Sequence, residues 1–299
     1  MDRTPAACLA RARRSLDGLS VGDALGTTFF SRRAAIATRT LSPREVWPWT
    51  DDAIMAVSVV EELAATGDID EGSLGVRFAR RYAAEPWRGY GGTAHGILAE
   101  LGQGVPWREA ASRPFDGQGS KGNGAAMRVA PLGAYFAHDL DAVVAAAARS
   151  ARPTHLHPEG VAGGVAIAVA AALAARAGAG ELARDGATFL AAVHERTPAG
   201  AVRDGVGAAM TLPADTSVSA AAARLGNGAR ELADDTVALC LWVAARHLDD
   251  YAEAVWEALA AEGDMDTNCA IVGGIVAAGG ADLPPAWLAR REPLPPPLA

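Results

Sequence analysis

The sequence predicts an all-α fold, and three observations carry that prediction. Half of the 299 residues are hydrophobic while aromatics make up only 6%, so the apolar content is mainly alanine with valine and leucine, which suits helices packed through small side chains. Apolar positions recur at helical spacing, as in Ile54, Met55, Val57, Val60 and Leu63. Strictly alternating β-branched runs are hard to find.

Taken in order, residues 6–26 read as a helix ending in Gly22-Asp23-Ala24-Leu25-Gly26, a glycine-punctuated element with an acid in it. Residues 27–42 have no clear period and read as a loop. Thr50-Asp51-Asp52 opens a helix over 50–66, and Val76, Phe78 and Tyr82 mark another over 74–84. The turn Gly89-Tyr90-Gly91-Gly92 feeds a helix that runs through Leu101. Residues 112–124 are irregular and carry glycines at 117, 119, 122 and 124; a loop this long inside a compact domain is more often functional than not. A helix follows over 125–136, with Pro131 bending or restarting it. Further helices are expected over 140–151, 158–177, 181–195, 199–210, 219–225, 235–248 and 251–261, and a buried apolar one over 269–278. No linker or fixed-period repeat divides the chain, so one domain is expected over 1–282. The Pro-rich tail, 283–299, is expected to be poorly ordered.

A net charge of −8 argues against a nucleic-acid backbone as partner. Cys8, Cys240 and Cys269 have no CxxC spacing and read as buried thiols of a reducing cytoplasm. Arg3, Arg11, Arg13 and Arg14 interrupt the first stretch, so no signal peptide is read there. The apolar window 161–175 is too short and too rich in glycine and alanine to span a bilayer. A soluble, cytoplasmic chain with no membrane partner is the expectation.

Two segments concentrate acids at helix starts. One is Asp264-Met265-Asp266-Thr267; the other is Thr50-Asp51-Asp52. Each sets two carboxylates beside a hydroxyl, an all-oxygen donor set suited to a hard divalent cation. Each also suits a helix cap, where a carboxylate is favourable. Were the four acids to converge, each pair about 5 Å apart would repel by roughly 3 kcal/mol at an effective dielectric of 20. Two divalent cations would balance them. Asp234-Asp235-Thr236 looks similar but lacks the flanking glycine, and reads mainly as a cap.

The segment 118–128, with Ser120, Lys121, Gly122, Asn123, Gly124 and Met127, offers backbone N–H groups and a cation to an anion. It lacks the order of a Walker loop, and a flexible surface connection fits it equally. His155 and His157 lack a third nearby nitrogen or sulfur ligand for zinc. Stacking on a base or ribose, bonding to phosphate, or anchoring of the helix opened by Pro158 fits them better.

Together these motifs resemble the ADP-ribosylglycohydrolase family, which includes the dinitrogen reductase-activating glycohydrolase and the ADP-ribosylarginine hydrolases. The resemblance rests on Gly22-Asp-Ala-Leu-Gly26, Thr50-Asp-Asp52, Gly91-Gly92, Gly122-Asn-Gly-Ala-Ala-Met-Arg128, His155-Leu-His-Pro158, Asp235-Thr236 with 238–242, and Gly263-Asp-Met-Asp-Thr-Asn268, which stand in the family's order along nearly the whole chain. It implies a roughly orthogonal all-α helix bundle with a central metal-containing cleft. It implies two Mg²⁺ or Mn²⁺ ions held by Thr50, Asp51, Asp52, Asp264, Asp266 and Thr267, with Asp52 and Asp266 as catalytic groups. Tyr90, Gly91, Gly92, Ser120, Gly122, Asn123, Gly124, Met127, His155 and His157 would contact an ADP-ribose-containing substrate, expected to be an ADP-ribosylated protein. Hydrolysis of an ADP-ribosyl bond, with arginine as first acceptor, is the implied activity. A free ADP-ribosyl metabolite as substrate, or a silent binding relative, are the alternatives. The chain departs from the family at Thr27-Thr28-Phe29-Phe30, where relatives carry a Glu, and at Ala53, where a Thr is common.

Overall fold

The structure, a computed structural model, describes residues 1–296. Those residues form seventeen helices and no strand. The chain runs through α1 (Pro5–Thr27), α2 (Ala34–Ala37), α3 (Asp51–Thr66), α4 (Glu71–Ala84), α5 (Gly92–Gly102) and α6 (Trp107–Ser112). After a glycine loop come α7 (Gly124–Met127), α8 (Ala130–Tyr135), α9 (Leu140–Ala151) and α10 (Pro158–Gly178). The second half holds α11 (Gly186–Arg196), α12 (Ala201–Met210), α13 (Val218–Leu225), α14 (Ala233–Arg246), α15 (Tyr251–Ala260), α16 (Met265–Ala278) and α17 (Pro285–Leu288).

Most expected helices appear where their patterns place them, and the differences have local causes. The helix expected over 181–195 starts later because Asp185 caps it, its carboxylate accepting from Thr188 N at 2.8 Å. The helix expected over 125–136 is two short ones. The break falls at Arg128–Val129, and Pro131, which cannot donate to the preceding turn, sits in the first turn of the restart. Residues 27–42 are irregular except for α2.

The centre of the bundle is α1 against α16, and glycine makes that contact possible. Gly18, Gly22 and Gly26 stand at four-residue intervals on one face of α1. A Cβ on Gly22 would collide with the Cys269 carbonyl, and one on Gly26 would lie 2.6 Å from the Asp266 Cα. From the other side, a Cβ on Gly273 would lie 2.6 Å from the Gly18 carbonyl oxygen. Backbones this close bring Asp23, on α1, beside the first turn of α16. The stripe that builds the core thereby positions an acid.

α10 fills the other side of the core. At 21 residues it is long and apolar enough to cross a bilayer, longer than the apolar window suggested, but it is largely buried among its neighbours. Gly133 of α8 meets it backbone to backbone, its missing Cβ leaving room for the Ala168 carbonyl.

The expectation of a loose tail is corrected as far as residue 296. Trp287 is buried between Tyr251 and Trp256 in edge-on ring contacts, with centroids 6.2 and 6.0 Å apart. Trp47 N donates to Arg290 O at 2.6 Å and Glu292 N to Trp47 O at 2.9 Å. The Glu292 carboxylate accepts a two-pronged bond from Arg88 at 2.7 and 2.8 Å. Buried aromatic area and a paired backbone outweigh the poor helix propensity of the proline-rich stretch.

Gly22→Ala is expected to destabilise the fold by about 1–3 kcal/mol, because the added carbon meets backbone that cannot swing away. Gly102→Ala, with nothing within 4 Å of the new Cβ, is expected to be neutral or slightly stabilising. Urea unfolding of the two variants checks the contrast.

Candidate active site

A cleft of about 810 Å³ opens at the N-terminal ends of α3, α5, α7 and α16. Asp51, Asp52, Tyr90, Gly91, Gly92, Ser120, Gly122, Asn123, Gly124, Met127, His155, His157, Asp264, Asp266 and Thr267 all line it. Of the residues expected to hold metal or substrate, only Thr50 stands behind the wall.

Neither residue at the N-cap positions of the two acid-bearing helices, α3 and α16, caps its own helix. Thr50 makes no side-chain cap bond to α3, and Asp264 makes none to α16. The cap of α3 comes from Asp23 of α1. Its carboxylate is fully buried and accepts from Thr50 N at 2.9 Å, Ala53 N at 3.1 Å and Thr50 Oγ1 at 2.8 Å. Thr50 Oγ1 also lies 2.9 Å from Asp52 Oδ2. Asp51 and Asp52 are thereby free to face the cleft. Asp264 Oδ2 accepts from Asn123 Nδ2 at 2.8 Å, and Asp266 Oδ1 accepts from Thr267 N at 2.9 Å.

Carboxylate oxygens of Asp23, Asp52 and Asp266 lie within 4.8 Å of one another. Asp23 is the residue the sequence reading left out of the ligand set. At that spacing each ionised pair repels by about 3.5 kcal/mol at an effective dielectric of 20. Three such pairs approach the total stability of a typical domain, about 5–15 kcal/mol. Burial raises every acid in the group. Asp23 is pushed up to about 6 by desolvation, offset in part by the bonds from Thr50 and Ala53. Asp51 is pushed up to about 8 by desolvation and then by the charge of Asp23. Asp52 and Asp266 are held well above the usual carboxylate range by desolvation first and neighbouring carboxylates second. Asp264 is raised by desolvation. In addition, Asp52 Oδ1 is buried with no hydrogen-bond partner among the described residues. An all-oxygen set, crowded negative charge and an orphaned carboxylate oxygen fit a hard divalent cation.

The glycine loop is tied to these acids from the opposite side. Asn123 N donates to Glu231 O at 3.0 Å and Ala233 N to Lys121 O at 3.0 Å, so loop and α14 form a short paired stretch. Asn123 Nδ2 reaches both Thr236 Oγ1, at 3.1 Å, and Asp264 Oδ2. Thr236 therefore supports the site through Asn123. Asp235 does not enter the cleft. It accepts from Arg230 N at 2.9 Å and pairs with the Arg230 guanidinium at 3.1 Å, which holds the turn before α14.

Tyr90 packs edge-on against Tyr82 with centroids 5.2 Å apart, and its buried hydroxyl has no partner among the described residues. Neither phenylalanine of the departing segment enters the cleft. Phe29 is buried edge-on against Trp256 at 5.6 Å, and Phe30 is 44% exposed away from the site. Three cleft residues had no separate signal in the sequence: Phe115, Arg128 as a buried cation, and Glu231. Phe115 and Glu231 sit at φ of 56° and 55°, a left-handed conformation that non-glycine residues adopt at a cost of about 1–3 kcal/mol.

The sequence profile of ADP-ribosylglycohydrolases matches residues 4–295. The chain belongs to this family. It is 35% identical over 201 residues to ADP-ribosylhydrolase ARH3 of Gallus gallus, covering 60% of this chain and 53% of that one. The match to the Homo sapiens ARH3 is 33% over 184 residues, covering 56% and 50%. The chain thus spans about half the length of these relatives. An uncharacterised protein of Archaeoglobus fulgidus is 29% identical over 287 residues, 92% of this chain and 90% of its own. Among solved structures, an ADP-ribosylglycohydrolase-related protein complex superposes with a TM-score of 0.67 at 26% identity, covering 96% of this chain and 94% of that one.

The raised acids set the sign of the pH dependence. Their folded pKa values lie above the ordinary 3.8, so the folded, metal-free protein keeps protons that the unfolded chain has released. That stabilisation is complete below about pH 4 and is lost as pH rises through about 6 for Asp23 and about 8 for Asp51. The melting temperature of the metal-free protein is expected to fall by several degrees between about pH 5 and pH 9, and excess Mn²⁺ to reverse the fall. Differential scanning calorimetry at fixed ionic strength measures it, and a metal-free melting temperature that climbs across this range would contradict the account.

Proposed function

We propose that the protein is a divalent-metal-dependent hydrolase that removes ADP-ribose from a modified protein side chain. The observation that carries this reading is the group of carboxylates on the cleft floor, confined at distances that only protons or cations make tolerable. Asp51, Asp52, Asp264, Asp266, the Thr267 hydroxyl and the Thr50 hydroxyl would hold two Mg²⁺ or Mn²⁺ ions, with Asp23 fixing Thr50 and sharing the charge. Such ions, when bound, lower the pKa of water and stabilise negative charge developing on oxygen.

The remaining chemistry belongs to the chain. Asp52 Oδ1, buried and without a partner, is placed to take a proton from an attacking water. Asp266, across from it, is the second catalytic carboxylate. Backbone N–H groups of Ser120, Lys121 and Gly124, with the Lys121 ammonium, would hold the diphosphate, since those of Gly122 and Asn123 already donate to Ser120 Oγ and Glu231 O. Tyr90, Gly91, Gly92, Met127, His155 and His157 line the walls that a ribose and a base would occupy. Arginine is the proposed acceptor. Glu231 supports it: this carboxylate lines the cleft beside Gly91, lies on the exposed side, and makes no ion pair among the described residues, so a guanidinium entering there meets an acid. Phe30, the departure from the family that would favour a silent relative, lies outside the cleft and leaves the acids untouched. Three free, buried cysteines support a reducing compartment such as the cytoplasm.

Incubation with arginine-linked and serine-linked ADP-ribosylated proteins, with and without Mg²⁺ or Mn²⁺, tests this reading. Release of ADP-ribose from the arginine-linked substrate, abolished by a chelator and lowered roughly 100-fold or more by Asp52→Asn, is expected. Release from the serine-linked substrate alone would overturn the acceptor assignment, and no release from any substrate by folded protein would overturn the function.

A further inference from the structure

One wall of the cleft is built on a chain of buried polar groups that leads from an arginine to a histidine. Arg128 is fully buried, its guanidinium stacked on the Phe78 ring at 4.4 Å, and it has no carboxylate partner among the described residues. Its Nη2 donates to Ser150 O and to Thr154 Oγ1, both at 2.9 Å. Thr154 Oγ1 lies 2.7 Å from His155 Nδ1. A guanidinium only donates, so the Thr154 oxygen accepts from Arg128. Its single hydrogen then has two acceptors within reach, His155 Nδ1 at 2.7 Å and Ala151 O at 3.4 Å. The short contact takes it.

An imidazole nitrogen that accepts a hydrogen bond carries no proton, so in the neutral ring the proton sits on Nε2. The ring is neutral because burial, and then the Arg128 charge, push His155 down to about 3. Nε2 has no partner among the described residues, and His155 lines the cleft beside the glycine loop. A Cβ on Gly122 would stand 3.3 Å from Nε2 and one on Gly124 would stand 3.1 Å from it. Both glycines therefore leave the nitrogen open to a ligand lying along the loop.

We propose that Arg128 and Thr154 are positioning residues that hold His155 as its Nε2–H tautomer, presenting one fixed N–H donor beside the Gly122–Gly124 loop to an anionic oxygen of a bound nucleoside diphosphate sugar. The ligand class rests on the proposed function; the tautomer does not. Long-range ¹H–¹⁵N correlation of the six histidines in the full chain reads the tautomer directly, with His155 assigned from His155→Asn. The Nε2–H pattern is expected in the ligand-free protein, and addition of ADP-ribose is expected to move the Nε2 proton resonance. Thr154→Val is expected to shift the ring toward the Nδ1–H form and to weaken ADP-ribose binding about tenfold, as loss of one fixed donor to a charged oxygen implies. Thr154→Ser, which keeps the hydroxyl, is expected to restore both, and it carries the test if the valine variant does not fold. An Nδ1–H pattern in the unsubstituted protein, or a valine variant with unchanged tautomer and affinity, overturns the relay. Bound ADP-ribose that leaves the Nε2 proton unmoved overturns the donor role. An Nε2–H ring in a protein that binds no ADP-ribose supports the relay and counts against the proposed function instead.

Discussion

Repulsion among the carboxylates of Asp23, Asp52 and Asp266 is the constraint around which this bundle is arranged. They come from α1, α3 and α16 and meet within 4.8 Å, in a space from which most water is excluded. Helix packing must hold them there against several kcal/mol of mutual repulsion. The force that does so is mostly apolar: α1 and α16 lie backbone to backbone along Gly18, Gly22, Gly26 and Gly273, with α16 buried along almost its whole length and α1 buried continuously from Gly18 to Gly26. The glycines have a structural cost, since each loses more chain entropy on folding than alanine would. Their placement is explained by the approach they permit.

Asp23 links that packing to the chemistry. By accepting from the N–H groups at the start of α3, it supplies from another helix the cap that Thr50, at the N-cap position, does not make. A sequence reader sees Thr-Asp-Asp before an apolar helix and must weigh cap against ligand. The fold resolves the choice with a third acid, 27 residues away from Thr50 in the chain. The same division of labour appears at Asp264, whose carboxylate is held by Asn123 while the first turn of its own helix goes without a side-chain cap.

The all-α class was legible because helical periodicity is a local signal, and the acid pairs because they sit at helix starts with hydroxyls beside them. Helix ends were less so. The late start of α11 depends on Asp185, and the break before α8 on Pro131, each a single residue within a longer helical pattern. Asp23 was visible as an acid between glycines, yet its role follows from a contact that the sequence does not announce. Glu231 and Arg128 were less legible still: one owes its place to a left-handed backbone turn, the other to a buried stack on Phe78. The tail misled for a compositional reason, because Trp287 and Leu294 are buried within a stretch that its prolines mark as irregular.

The central claim is that the crowded acids are a cation site, and direct Mn²⁺ binding to the full chain tests it most plainly. Electron paramagnetic resonance of free Mn²⁺, near pH 7.5 in a non-chelating buffer, counts the ions removed from solution. The account predicts saturable binding of two Mn²⁺ per chain, weakened at least tenfold by Asp23→Asn through loss of the group that fixes Thr50 and shares the cluster's charge. A folded protein that takes up no Mn²⁺, or one whose uptake is unchanged by Asp23→Asn and by Asp266→Asn alike, would contradict it.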